Sequence, residues 1–354
     1  MPARFSPRHF ALVLSGLVGL GWMAAPGWAA PAGKGGPQAA PTGRASAAPR
    51  RPSVLDRLRQ LAESGNPEAQ YNLGLLYDLG QEVPENNQEA LLWYRKAANQ
   101  GFSRAQFNLG IMYDEGEGVP EDNVEAVKWY TNAANQGDPS AMFNLGLMHA
   151  RGEGVPANKE EARQWFLRAA EAGDLSAMFN LALIFDEGDE VPEDDKQALK
   201  WYRRAAERGH PKAQLNLGLM YDEGEGVPED NVEAVKWYRR AAVQGNAKAQ
   251  FNLGVMLSNG EGVKQDKAEA VKWYTKAAQQ NDVSAQYNLA LAFDEGDGVP
   301  TDMVSAYFWY RLAADQGDDD ARNNAKALKL RMNGKQVTAA ERRLAEWKRG
   351  SKSR

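Results

Sequence analysis

Cysteine is absent from all 354 residues. That excludes disulfides, zinc–thiolate sites, thiol nucleophiles and a lipidated-cysteine anchor together. Histidine is scarce, with only His9, His149 and His210, at spacings that suit neither a metal site nor a catalytic triad. Also missing are G-x-S-x-G, S-x-x-K and a glycine loop followed by a phosphate-binding lysine. An enzyme would therefore lack its usual signatures, and we expect none, nor any cofactor.

Long apolar runs are lacking except near the N-terminus. There Arg4 and Arg8 precede "FALVLSGLVGLGWMAA", and Gly27 and Ala29 follow as small residues. A positive start, an apolar run short of the ~20 residues of a membrane span, and a small-residue cleavage site predict a signal peptide over 1–29. The mature protein is then exported, periplasmic or secreted, with no integral span after cleavage; an uncleaved anchor is the alternative. Residues 30–52, rich in Ala, Pro and Gly with scattered Arg, read as a disordered linker.

Charge is unevenly distributed. Residues 1–60 and 322–354 together hold 19 of the 42 Lys and Arg but three of the 47 Asp and Glu, which leaves 61–321 with a net charge of −21. Such a body disfavours nucleic acid as a ligand and suits a basic protein or peptide partner, although the same charge also serves solubility.

What is abundant is repetition. "YDEGEGVPEDNVEAVKWY" occurs unchanged at 113–130 and 221–238, and Trp93, Trp129, Trp165, Trp201, Trp237, Trp273 and Trp309 recur every 36 residues. Strict self-similarity at this period predicts a solenoid of seven units over 69–320, each burying its apolar face on its neighbours. Every unit holds two helical patterns. Ala105, Leu109, Met112 and Tyr113 form one stripe, and Ala126, Trp129, Tyr130, Ala133 and Ala134 form a second. Glycine at 80, 116, 152, 188, 224, 260 and 296 predicts a left-handed stop to the first helix. Asp122 with Glu125 predicts a capping box at the start of the second. That helix stops at Gly137 and its equivalents, with Asn281 as the one exception. Residues 53–68 read as an N-terminal capping helix, and 321–354 as a degenerate repeat with C-terminal capping helices and a basic tail.

The pattern A-x-x-N-L-G-x-x-Y-x-x-G-x-G-V-P-x-D-x-x-x-A-x-x-W-Y-x-x-A-A-x-x-G, from Ala105 to Gly137, resembles the Sel1-like repeat, a cousin of the tetratricopeptide repeat. The resemblance covers about 53–347. It implies an all-α, right-handed α-solenoid of stacked antiparallel helix pairs with a concave groove, present as a monomeric array. It implies an adaptor or scaffold for protein–protein interaction. Alternatives are an envelope regulator that controls a cell-wall enzyme or a sensor protein, and an enzyme acting on peptidoglycan or a β-lactam. Some cysteine-rich family members are described as penicillin-binding or β-lactam-hydrolysing. This chain has neither their cysteines nor S-x-x-K, so that activity is not carried over.

The acidic loops invite a calcium reading. With Asp114 as position 1 of an EF-hand loop, Asp122 falls at 9 and Glu125 at 12. Gly116 and Gly118 then stand where side-chain oxygens are required, and Val119 where glycine is. No metal site is expected.

A more informative row is Asn72, Asn108, Asn144, Asn180, Asn216, Asn252 and Asn288, one per unit inside a helix although asparagine is a mediocre helix former. The resemblance implies a ladder of amides along a peptide-binding groove, each able to donate and accept. The alternative is a hydrogen bond within the stack. Aromatic residues including Phe107, Phe143 and Phe179 precede the asparagines. Two helical turns on lie the acids Asp114, Glu115, Asp186, Asp222 and Glu223. Together they would suit an extended basic or amphipathic peptide; the aromatics serve equally well as packing between units. Unit three ("MHARGEGVPANKE") and unit six ("MLSNGEGVKQDKA") lose the acidic "DEG". Those breaks read either as partner specificity or as drift.

Overall fold

The computed structural model describes residues 53–188 and 194–351. The signal peptide over 1–29 and linker over 30–52 expected from sequence lie outside the described residues. Among those described, 17 helices and no strand occur.

The first helices of the seven units are α2 (Pro67–Leu79), α4 (Ser103–Glu115), α6 (Pro139–Arg151), α8 (Leu175–Glu187), α10 (Pro211–Glu223), α12 (Ala247–Asn259) and α14 (Val283–Glu295). The second helices are α3 (Asn87–Asn99), α5 (Asn123–Asn135), α7 (Lys159–Glu171), α9 (Asp195–Glu207), α11 (Asn231–Val243), α13 (Lys267–Gln279) and α15 (Met303–Asp315). Helix α1 (Val54–Glu63) precedes them, and α16 (Asp319–Arg331) and α17 (Gly334–Ser351) follow. Each first helix packs on the second helix of its own unit and on that of the unit before, which is an α-solenoid of antiparallel pairs.

Paired alanines make this approach possible. Ala97, Ala133, Ala169, Ala205, Ala241, Ala277 and Ala313 are all fully buried. The ring that follows each tryptophan, tyrosine in six units and Phe166 in unit three, is buried as well, and a Cβ placed on Gly110 would lie 2.6 Å from the ring of Tyr130. The backbone of the first helix thus takes the space a side chain would need, so that the ring can sit flat against it.

The stops follow local chemistry. Gly116 is left-handed at φ 73°, and Asn281 takes φ 67° at the one place where asparagine replaces glycine. The starts differ from the expected capping box. Asp122 Oδ1 accepts from the N–H groups of Val124 and Glu125, both at 3.1 Å. Its own N–H, however, donates to the carbonyl of Tyr113 at 2.8 Å, so Glu125 has no donor to reach back to and pairs with Lys128. The same backbone bond closes the loop of every unit, from Asn86 N–H to Tyr77 O through Asp302 N–H to Phe293 O. Reciprocal boxes occur only at the ends among the described residues, at Ser53 with Asp56 and Asn333 with Gln336.

The second loop glycine was not singled out from sequence. A Cβ on Gly118 (φ 68°) would lie 2.5 Å from the carbonyl oxygen of Asn87 in the preceding unit. The loops of units two, three, five, six and seven lean in this way on the start of the previous second helix, and only glycine permits the approach. The array ends under α17, which lays Trp347 against Phe308 and Trp309 and buries Ala340 and Leu344.

Candidate interaction face

The first helices carry the asparagine, aromatic and acidic rows, held in register by the 36-residue repeat. All seven asparagines are half-buried. Asn216 Nδ2 donates to the hydroxyl of Tyr202, in the unit before it, at 2.9 Å, and that hydroxyl donates to Asp186 Oδ2 at 2.8 Å. The same asparagine–tyrosine–aspartate relay links Asn108, Tyr94 and Asp78, then Asn144, Tyr130 and Asp114, and Asn252, Tyr238 and Asp222. At the C-terminal end Asn324 hydrogen-bonds Tyr310, while in unit six Ser258 replaces the acid beside Tyr274 and Asn288. Burial pushes the tyrosine hydroxyls above their ordinary range, and the nearby carboxylates act in the same direction. The phenols stay protonated and donate.

Unit three breaks the relay at two places together. Ala150 stands for the aspartate and Phe166 for the tyrosine, and Asn180 turns back to the carbonyl of Ser176 at 2.8 Å. No half-relay is left with an unpaired buried group. At the other end Leu58 occupies the register that would serve Asn72.

The aromatic residues lie on the same buried rings. Phe107 is tilted against Tyr130 with centroids 5.9 Å apart, Phe143 against Phe166 at 5.6 Å, and Phe179 against Tyr202 at 5.9 Å. All three remain half-buried. Asp114 and Glu115 are half-buried, Asp186 and Asp222 are half-buried and hold tyrosines, and Glu223 is exposed. Among the described residues no group of three His, Cys, Asp or Glu could hold a metal ion, and no helix is long and apolar enough to cross a membrane.

A second ladder escaped the sequence reading. Gln70, Gln106, Gln214, Gln250 and Gln286 are buried, and each donates to a carbonyl of the preceding second helix, as Gln106 does to Ala98 O at 3.1 Å. Each accepts from a glutamine 30 residues on, Gln136 Nε2 to Gln106 Oε1 at 2.7 Å being typical. In units three and four both partners change together, to Met142 with Ala172 and to Met178 with Arg208. The signal was present in sequence, since "AQ" stands two residues before the asparagine only in units whose second helix is followed by glutamine.

A family model for the Sel1 repeat matches seven consecutive segments, 67–102, 103–138, 139–174, 175–210, 211–246, 247–282 and 283–318. A solved Sel1 repeat protein from Oxalobacter formigenes is 36% identical, with 77% of this chain and 78% of that chain covered and a TM-score of 0.63. A protective antigen present in uropathogenic Escherichia coli strains is 28% identical over 83% of this chain and 86% of that chain, with a TM-score of 0.49. Among curated proteins none matches.

Proposed function

Since the chain belongs to the Sel1 repeat family, whose fold is a scaffold for protein–protein interaction, we propose that it is an exported adaptor binding an extended peptide or protein segment along its first helices. The observation that carries this reading is the relay. Tyr202 takes one N–H of the Asn216 amide and so fixes its orientation, while the other N–H and Oδ1 remain for a ligand. An amide already ordered loses less freedom on binding. The half-buried rings of Phe107, Phe143 and Phe179 supply apolar contact beside it, and Asp114, Glu115, Asp186, Asp222 and Glu223 favour a basic or amphipathic segment. Residues 1–29 deliver the chain to the envelope, and 30–52 tether the array.

Site-specific photo-crosslinking in intact cells tests the proposal. A photoreactive side chain at Phe143 or Phe251 should capture one discrete partner, and Asn144→Ala with Asn252→Ala should abolish the adduct while the purified array keeps its helicity. Adducts unchanged by these substitutions would overturn it.

A further inference from the structure

The second helices present a different surface. Beside each tryptophan, two exposed positions lie one helical turn apart, at Trp−1 and Trp+3. In units one to three they hold Leu92 and Lys96, Lys128 and Asn132, then Gln164 and Arg168. In units four, five and six both are basic: Lys200 with Arg204, Lys236 with Arg240, and Lys272 with Lys276. All six are exposed.

Most cations of this stripe also have a contact within the array. Arg204, Arg240 and Lys276 lie over the rings of Trp201, Trp237 and Trp273 at 4.8, 4.3 and 3.9 Å from the centroid. Lys96 and Arg168 do the same over Trp93 and Trp165 at 3.7 and 4.7 Å, without a second cation one turn earlier. Lys200 also lies over the Trp201 ring, at 5.2 Å, and Lys236 pairs with Glu233 one turn back, so what sets units four to six apart is the second cation itself, where units one to three carry a single one. Like charges at i and i+4 weaken a helix, and the second helices of three consecutive units repeat the arrangement.

Unit seven shows what happens when this face is covered. Its two positions are Phe308 and Leu312, both buried. Helix α17 lies across them, with Arg343 over the Phe308 ring at 4.2 Å and Trp347 against it. Where a helix of the chain occupies the face, both positions are apolar; where the face is open in units four to six, both are cationic. Between the cations of unit five lies an open depression of about 490 Å³, lined by Lys236, Arg239, Arg240, Gln214, Gln244 and Val243.

We propose that the second-helix face of units four to six docks a short acidic polypeptide segment, which lies across α9, α11 and α13 as α17 lies across α15. The chemistry is carboxylates on ammonium and guanidinium groups over indole rings. A short segment fits better than a long polyanion or an anionic membrane. The surrounding body carries a net −21 over 61–321, so any anion that runs past the stripe comes within a Debye length, about 8–10 Å, of negative surface and is repelled. Val232 and Val243, at the two ends of α11, are the exposed large apolar side chains beside the stripe, too little for insertion into lipid. This inference concerns the second helices and stands apart from the proposed function of the first.

The test titrates the intact array with a decaglutamate peptide and follows tryptophan fluorescence. We expect saturable, salt-sensitive binding. Lys200→Gln, Lys236→Gln and Lys272→Gln combined should weaken it by about tenfold or more. The charge-matched control Lys212→Gln, Lys264→Gln and Lys326→Gln should change it by less than about twofold. Circular dichroism verifies that both variants are folded. Absent binding, or equal loss in the two variants, would overturn the proposal. So would tighter, stripe-dependent binding to phosphatidylglycerol vesicles, which would make the surface one for lipid.

Discussion

Asn216 donates through Nδ2 to the hydroxyl of Tyr202 at 2.9 Å, across the boundary between the fourth and fifth units. Tyr202 in turn donates to Asp186 at 2.8 Å. Three residues from three different helices thus share one buried oxygen. Tyr202→Phe should destabilise the array by about 1–2 kcal/mol, because Asp186 is left half-buried without its donor. Adding Asp186→Ala should cost less than the sum of the two single changes, with coupling of about 1 kcal/mol in a urea-unfolding double-mutant cycle. Unit three has already made this paired change, as Ala150 and Phe166. Strict additivity would mean that the relay has no energetic role.

His210 caps α10, its Nδ1 accepting from Ala213 N–H at 3.1 Å while the ring stacks on Phe179. Only neutral imidazole can accept there. Burial, then Lys212, hold its pKa down to about 4 from the ordinary 6.5. Below 6.5 the unfolded chain binds a proton that the folded chain refuses, so stability is full above that value and falls as pH drops toward 4. The loss should reach on the order of 1–3 kcal/mol. In His210→Asn, which copies the Asn66 and Asn246 caps, thermal melts between pH 7 and 4 should show a shallower decline.

Two glycines of positive φ separate backbone strain from steric contact. Gly118→Ala meets the Asn87 carbonyl at 2.5 Å, whereas nothing lies within 4 Å of a Cβ at Gly137. Both bear the left-handed cost of about 1 kcal/mol. Gly118→Ala should lose at least about 1 kcal/mol more, because the loop must move off the previous helix. Equal losses in chemical denaturation would show that this contact yields freely.

The junction between units three and four has neither the tyrosine–asparagine bond nor the glutamine-to-carbonyl bond that tie units four and five. Its polar tie among the described residues is Arg208 to Gly173 O at 3.2 Å. Installing a relay with Phe166→Tyr and Ala150→Asp should raise coupling across this junction by about 1 kcal/mol. Hydrogen exchange should then slow in α6 to α8 more than in α12 to α14. Uniform slowing, or none, would count against the junction as the weak point.

Much of the architecture was legible in particular residues. Trp93 to Trp309 set the unit, and Gly116 and Asn281 marked stops that are indeed left-handed. Asp122 marked a start. The capping box was misread because sequence cannot show that Tyr113 O, nine residues away, had already engaged the Asp122 N–H. The asparagine row was visible, but its tyrosine partners were not, since they lie in the preceding unit. The glutamine ladder shows in sequence only as a joint change of positions 30 residues apart in units three and four, which no single unit displays.

Helix length, helix termini and the period of 36 depend on interactions spanning a few residues along the chain, so the order of side chains alone determines them. The partners of Asn216, Gln106 and Gly118 lie 14, eight and 31 residues away, on helices brought together by stacking. Which polar group meets which is decided by the rotation of one unit on the next. That rotation exists only once the alanine, tyrosine and tryptophan faces have packed, and so it belongs to the tertiary structure.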